Sequence, residues 1–315
     1  MGRPQAAFYC VCDSRYFLGA VGMLNSLRLL GHDEPVFVLD CGLTEGERRR
    51  LAGHATVVAA PDDSPPWLLK AAAPRHNPAD VAVLIDTDLL VTRPLTELIA
   101  SAAKRRVVAF RNASDRFFSA WGDLPGLGEA RPRPYVSSSL VFLGGTTGSK
   151  VLSLMDGLRD SVDFRRTFWR ANDEDYPFLL GDQDVLNAIL ATEVDSSRVV
   201  ELDPRLEAVP PFAGLKVSNE DTLRCSYEDE VEPLVLHHYV TKPWLEPTLP
   251  GVYTQLLLRL LRGRDVAIRI PRDELPPHLQ PGVIAGAKRW YRGPLARRVR
   301  ALRDQITRET EPSRN

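Results

Sequence analysis

The chain is short of several things. No apolar run in its 315 residues approaches the ~20 residues that a membrane-spanning helix needs. It has no excess of charge of either sign: 40 basic and 41 acidic residues leave a formal net charge of -1. That balance gives no general pull toward nucleic acid or an anionic membrane, and no nucleic-acid partner is expected. Cysteine is scarce. The four thiols, Cys10, Cys12, Cys41 and Cys225, have no zinc-type spacing. Cys10 and Cys12 fall on one side of a predicted strand, which suits buried thiols better than a disulfide. Behind Met1-Gly2-Arg3-Pro4-Gln5 there is no signal-peptide core, because residues 6–12 are apolar but few and Asp13 closes them. A reduced, cytoplasmic protein is expected. No internal repeat is evident.

The composition that is present, 44% hydrophobic and 26% charged, is ordinary for a globular protein. Residues 6–12 read as a buried strand, 17–30 as a helix with Leu18, Val21, Leu24, Leu27 and Leu30 on one face, and 35–40 as a second strand. A polar helix over 44–51 follows, with Thr44 and Glu47 at capping-box spacing, then a short strand over 55–60. Alternation of this kind predicts an α/β fold whose mostly parallel sheet is flanked by helices, with ligands beyond the carboxyl ends of the strands. Further helices are expected over 67–73, 95–103, 150–158, 162–170 and from Asp182 to Leu190. Further strands are expected over 107–110, 135–143, 198–202 and 234–240. The irregular stretch 112–133 is long enough to be functional. A main domain over 1–250 is expected, then a helical, basic extension over 251–315. Within it, residues 288–308 form a basic amphipathic segment, read either as a peripheral contact with the inner face of a membrane or as a docked or disordered tail.

One stretch stands apart. Val81-Ala82-Val83-Leu84-Ile85 reads as a strand buried on both faces, yet Asp86 and Asp88 interrupt the apolar run before Leu89-Leu90-Val91 continues it. Carboxylates in such a run need a partner, because unpaired buried charge is very costly. A hard divalent cation is a suitable one. Three further pieces lie downstream: Gly181-Asp182-Gln183-Asp184-Val185-Leu186-Asn187, His237-His238-Tyr239 and Lys242-Pro243-Trp244. Taken singly each reads as ordinary structure. Together they offer two carboxylates and an imidazole for a metal such as Mn²⁺, a lysine for phosphate, and acids and an amide for sugar hydroxyls.

In these pieces the chain resembles the retaining glycosyltransferases of family 8, the glycogenin and bacterial lipooligosaccharide galactosyltransferase group, which have the GT-A fold. The resemblance runs from about Tyr9 to Trp244. It rests on Asp13 and Tyr16 in D-x-x-Y, Asn25-Ser26-Leu27, Leu39-Asp40-Cys41-Gly42-Leu43-Thr44, the D-x-D strand, and Asp182-Gln183-Asp184-Val185-Leu186-Asn187. The last is the most specific. It implies that Asp86, Asp88 and His238 ligate Mn²⁺ (or Mg²⁺), and that Asp13, Tyr16 and Thr87 belong to the nucleotide site. It further implies that Lys70 and Lys242 neutralise the diphosphate and that Asp182 and Gln183, with Asp184 nearby, are the catalytic group that lines the reacting sugar. Two departures bear on the donor. The closing H-x-x-G-x-x-K-P-W is here His238-Tyr239-Val240-Thr241-Lys242-Pro243-Trp244, shorter and without glycine. The ligand is assigned to His238 because an aromatic follows it, but adjacent strand residues face opposite ways, so one of His237 and His238 reaches the metal. The family's Asn turn is replaced by Val136-Ser137-Ser138-Ser139, with Ser137 in the place of the sugar-contacting Asn.

The activity implied is transfer of a hexose, with retention, from a UDP-sugar to an acceptor hydroxyl of unknown kind: a saccharide, a lipid-linked glycan or a small molecule. Two alternatives stand beside it, a GT-A domain that binds a sugar nucleotide without turning it over, and an inverting GT-A enzyme with another donor.

Overall fold

A computed structural model describes residues 5–247 and 251–280 of the chain. At its centre is strand β1 (Ala6–Cys12), whose Ala6, Phe8, Cys10 and Cys12 enter one apolar core while Ala7 and Tyr9 enter another on the opposite side. A strand apolar on both faces must be covered on both. Helix α1 (Phe17–Leu29) leads to β2 (Val36–Asp40), and α2 (Glu45–Ala52) to β3 (Thr56–Ala59). The capping box of α2 forms as expected, Thr44 accepting from the Glu47 amide while Glu47 accepts from that of Thr44. After the short helix α3 (Ala72–His76), the chain crosses to the other side of β1 as β4 (Val81–Ile85).

The apolar run that Asp86 and Asp88 interrupt is two strands in two sheets. The chain turns at Asp86-Thr87-Asp88, and β5 (Leu89–Val91) leaves for a second sheet. Then come α4 (Thr96–Ala102), β6 (Val107–Arg111), β7 (Val136–Gly144), α5 (Gly145–Leu158), α6 (Asp182–Glu193) and β8 (Val199–Leu202). The main sheet has the order β3-β2-β1-β4-β7-β6-β8. All its pairings are parallel except the two made by β7. The chain order reverses between β1 and β4, which makes their carboxyl ends the switch point where ligands bind in such sheets. Asp13 follows one of those ends and Asp86 the other.

Strands β9 (Glu207–Ala208), β10 (Lys216–Asn219), β11 (Arg224–Ser226) and β12 (Val235–His237) complete the sheets. β10 pairs with β11, and β12 lies between β5 and β9. The strand expected over 234–240 stops at His237, and the helix expected over 162–170 is only a 3₁₀ turn at Phe164–Arg166.

Helix α7 (Val252–Arg262) packs against α1. Its Leu256, Leu257, Leu260 and Leu261 are fully buried in the same core as β1 and β5. At about 1.5–3 kcal/mol each, four such leucines match a large part of the ~5–15 kcal/mol that holds a whole domain together. Residues 252–279 therefore continue the main core rather than extend from it. This second cover also explains why α1 is buried on nearly all sides, not on one face alone. The basic segment 288–308 lies outside the described residues.

Candidate active site

The turn Asp86-Thr87-Asp88 is held from three sides. Its Asp86 amide donates to the Ser139 carbonyl, its Asp88 carbonyl accepts from the His238 amide and the Tyr253 hydroxyl, and its Thr87 carbonyl lies against Gly19 of α1. A methyl group on Gly19 would come within 2.5 Å of that carbonyl and 2.6 Å of the Trp244 ring. Glycine here lets α1 press directly on the turn.

Two aspartates and one histidine converge at the turn: Asp86, Asp88 and His237, whose ligand atoms all lie within 4.8 Å of one another. That spread is about twice the ~2.0–2.6 Å of a metal–oxygen bond, so one ion can touch all three. The donor set, carboxylate oxygens with one imidazole nitrogen, suits a divalent metal of the Mn²⁺ kind. Asp88 Oδ1 is buried without a hydrogen-bond partner, 3.4 Å from His237 Nε2. A buried carboxylate oxygen left so is costly unless a cation takes it. The residues fit a metal.

The histidine is a correction. His237, not His238, reaches the aspartates. β12 pairs antiparallel with β5 in a register that sets His237 opposite Leu89, directly beside Asp88. At His238 the strand has ended, and its ring packs edge-on against Tyr253, with centroids 4.9 Å apart, and beside Phe212. Burial and then the Lys242 charge push the His238 imidazole down to about 4. For His237 burial opposes charging, but Asp88 and Glu207 outweigh it and push the imidazole up to about 10.

Glu207 carries no local motif, and sequence reasoning missed it. Its Oε1 accepts from His237 Nδ1 at 2.7 Å, from Ser139 Oγ at 2.5 Å and from Ser137 Oγ at 3.2 Å. Fixing Nδ1 as the donor leaves Nε2 to face the aspartates, the arrangement that orients metal-binding histidines generally. Ser137 thereby donates to Glu207. The two serines at i and i+2 share one face of β7, which was the only sequence signal of a common acceptor. Tyr253, which secures the Asp88 carbonyl from α7, was missed too.

Two lysines close the cluster. Lys70, buried, bridges Asp86 Oδ1 at 2.6 Å and Asp182 Oδ2 at 2.8 Å, and so joins the D-x-D turn to the start of α6. Burial favours its neutral form, but Asp182 and Asp86 outweigh that and hold the ammonium well above its ordinary range. Lys242 pairs with Asp88 Oδ2 at 2.5 Å and lies 5.7 Å from the centre of the Tyr16 ring. Burial raises the Asp86 carboxyl to about 6, Lys70 notwithstanding. The Asp88 carboxyl goes the other way: burial would raise it, but His237 and Lys242 hold it well below the usual range. Trp244 anchors the Lys242 loop by donating from Nε1 to the Arg15 carbonyl and meeting Tyr16 edge-on. The Tyr16 hydroxyl is pushed up to about 12 by burial, then by Asp88 and Asp13. Asp13 Oδ1 accepts from the Tyr16 amide and sets the entry to α1.

The D-Q-D run divides. Asp182 faces Lys70, and Gln183 Oε1 accepts from the Ser138 amide at 3.2 Å, so both border the cluster. Asp184 does not. It is wholly buried, accepting from the Tyr135 hydroxyl at 2.6 Å, the Leu180 amide at 2.7 Å and Arg116 Nε at 3.3 Å. Asn187 likewise bonds both backbone groups of Val136. Asp184, expected near the sugar, ties the start of α6 to Tyr135, just before β7, and to Arg116.

No family model and no curated protein matches the chain. Solved structures do. An active-site mutant of LgtC is similar with a TM-score of 0.54 at 16% identity, over 85% of this chain and 98% of that one. The galactosyltransferase LgtC in complex with donor and acceptor sugar analogues is similar with a TM-score of 0.50 at 17% identity, over 82% and 98%. The apo form of the glycosyltransferase GlyE of Streptococcus pneumoniae TIGR4 gives 0.50 at 15%, over 82% of this chain and 61% of that one. The protein thus has the GT-A glycosyltransferase fold, over nearly the whole length of LgtC.

Proposed function

We propose that the protein is a glycosyltransferase of the family 8 kind, which moves a hexose with retention from a UDP-sugar to an acceptor hydroxyl. The observation that carries this reading is the convergence of Asp86, Asp88 and His237 with Lys70, Lys242 and Asp182 at the switch point of a GT-A fold. Asp86, Asp88 and His237 Nε2 would hold Mn²⁺ or Mg²⁺, and His238 is replaced in that role. The metal, when bound, supplies charge that offsets the negative diphosphate as it leaves.

The chain's own residues do the rest. Lys70 stands against Asp86 and Lys242 against Asp88, on the two acids of the turn, so a diphosphate there meets two ammonium groups; stabilising developing charge is commonly the largest catalytic term. Tyr16, with Trp244 behind it, offers a half-buried ring for a base, and Asp13 and Thr87 border that side. Asp182 and Gln183 would offer oxygens to the positive charge on the sugar as the anomeric bond to UDP breaks; the acceptor oxygen forms the new bond and its proton leaves with the departing diphosphate. Glu207 keeps the His237 ring in place. The cytoplasm remains the proposed location; no helix among the described residues is long and apolar enough to cross a membrane. Peripheral membrane contact through 288–308 remains part of the proposal.

A binding-only domain is favoured by one observation: Asp184 and Ser137, two of the expected sugar contacts, are engaged by Tyr135 and Glu207 of the protein itself. The experiment that separates the readings follows UDP release from a panel of UDP-sugars with Mn²⁺, with and without EDTA. Metal-dependent release supports a transferase; tight UDP binding without release supports the binding-only reading; no binding of any UDP compound overturns both.

A further inference from the structure

Beside the cluster is a surface that the donor site leaves unused. Trp169 and Phe168 are 53% and 57% exposed, on a loop between α5 and α6. The two rings touch edge-on, with centroids 6.0 Å apart, and contiguous exposed apolar surface, unlike scattered single side chains, marks binding sites. The loop is nonetheless held in shape: the Phe168 amide donates to the Leu179 carbonyl, Asn172 to Thr167, and Asp173 to Arg166, while Thr167 is fully buried beneath. Trp169 stacks on Trp67 with centroids 5.2 Å apart and planes 22° from parallel. Trp67 in turn covers Gly181, where a methyl group would come within 2.3 Å of its ring. Gly181 has φ +58, a left-handed conformation that favours glycine, and it immediately precedes Asp182. A continuous aromatic path therefore leads from the surface to the edge of the cluster.

We propose that Trp169 and Phe168 form a stacking ledge for a pyranose unit of the acceptor saccharide. The inference rests on the transferase reading above and names the acceptor side of that site. A pyranose has an apolar face of C–H groups and a rim of hydroxyls. The ledge matches both, with the exposed Phe168 ring and the exposed part of Trp169, whose other face rests on Trp67, at its centre and charged groups around it. Arg165 pairs with Asp163, Arg166 with Asp173, and Arg170 lies 5.2 Å from the centre of the Phe164 ring. Over 163–175 those three arginines are flanked by four acids, Asp163, Asp173, Glu174 and Asp175, so the stretch has no net positive charge to favour an anionic lipid surface. Because the loop is already shaped, little ordering entropy opposes binding.

The test is ¹⁹F NMR on protein labelled with 5-fluorotryptophan, with the Trp169 signal assigned from Trp169→Phe. Methyl glucosides, methyl galactosides and their disaccharides are titrated in the presence of UDP and Mn²⁺. A saturable shift of the Trp169 and Trp67 signals by at least one glycoside is expected. Trp169→Ala should weaken that glycoside about tenfold or more, and Trp169→Phe should restore most of the loss. No shift with any glycoside, an equal shift with glycerol, a response to phospholipid vesicles alone, or unchanged affinity in Trp169→Ala would each overturn the ledge. Calorimetry of Mn²⁺-dependent UDP binding on the same sample reads the donor site separately, so a failed ledge and a failed donor site are told apart.

Discussion

Asp182 and Asp184 start the same helix two residues apart, and they are put to opposite uses. Successive helix residues turn about 100°, so the pair points about 200° apart. Asp182 meets the Lys70 ammonium, which is shared with the D-x-D turn, and its environment is one of converging charge. Asp184 meets a phenol, a backbone amide and one guanidinium, and its oxygens are fully bonded. The first belongs to a cluster of carboxylates and ammonium groups that can serve chemistry. The second is a fastening between α6, β7 and the 112–133 loop. A carboxylate in a motif is thus not informative until its partners are known.

The largest expected effect probes the cluster itself. Asp88→Ala removes a ligand atom from the trio and a partner from Lys242, and should lower Mn²⁺-dependent UDP binding about 100-fold or more by calorimetry. His237→Ala should do the same, whereas His238→Ala should spare metal binding. The reverse outcome for the two histidines would show that the ring facing Tyr253 is the ligand after all.

Next in size is the fastening. Asp184→Ala leaves Arg116 and the Tyr135 hydroxyl without their buried acceptor and should cost about 3–5 kcal/mol in urea unfolding. Asp182→Asn should instead abolish sugar transfer while the unfolding midpoint moves little. If the two variants behaved alike in both assays, the division between them would fail.

A smaller effect is expected at Glu207→Gln. The His237 ring loses a charged acceptor but keeps a neutral one, so Mn²⁺ affinity should fall about 10–100-fold, seen by EPR of free Mn²⁺ without any turnover. The smallest effect is one of pH. Burial holds the Asp184 carboxyl above its ordinary value of 3.8, so the folded state favours its protonated form. The stability this gives is complete below about pH 3.8 and is lost as pH rises through the elevated folded value. The stability advantage of wild type over Asp184→Asn should therefore be greater near pH 4 than at pH 7, as measured by urea titration at both.

Much of this was legible along the chain. The buried strand over 6–12, the capping box at Thr44 and Glu47, and the acids beyond the ends of β1 and β4 follow from periodicity and from the cost of burying charge. The second sheet went unread as a sheet. Its strands, β5, β9 and β12, have two or three residues each, too short to show a period; β12 was expected only as part of a longer strand over 234–240, and β9 not at all. Helix α7 looked like an appendage because its apolar face gives no sign of what it packs on.

By itself, then, the sequence determined the residue types, the alternating α/β order and the candidate acids, because these depend on local pattern and on composition. Which histidine faces Asp86 and Asp88, which of two aspartates faces Lys70, and that Glu207 and Tyr253 brace the site were decided by tertiary structure alone. They depend on the register of β12 against β5 and on the rotation of α6 over β7. Such contacts join residues far apart in the chain, and no local pattern specifies them.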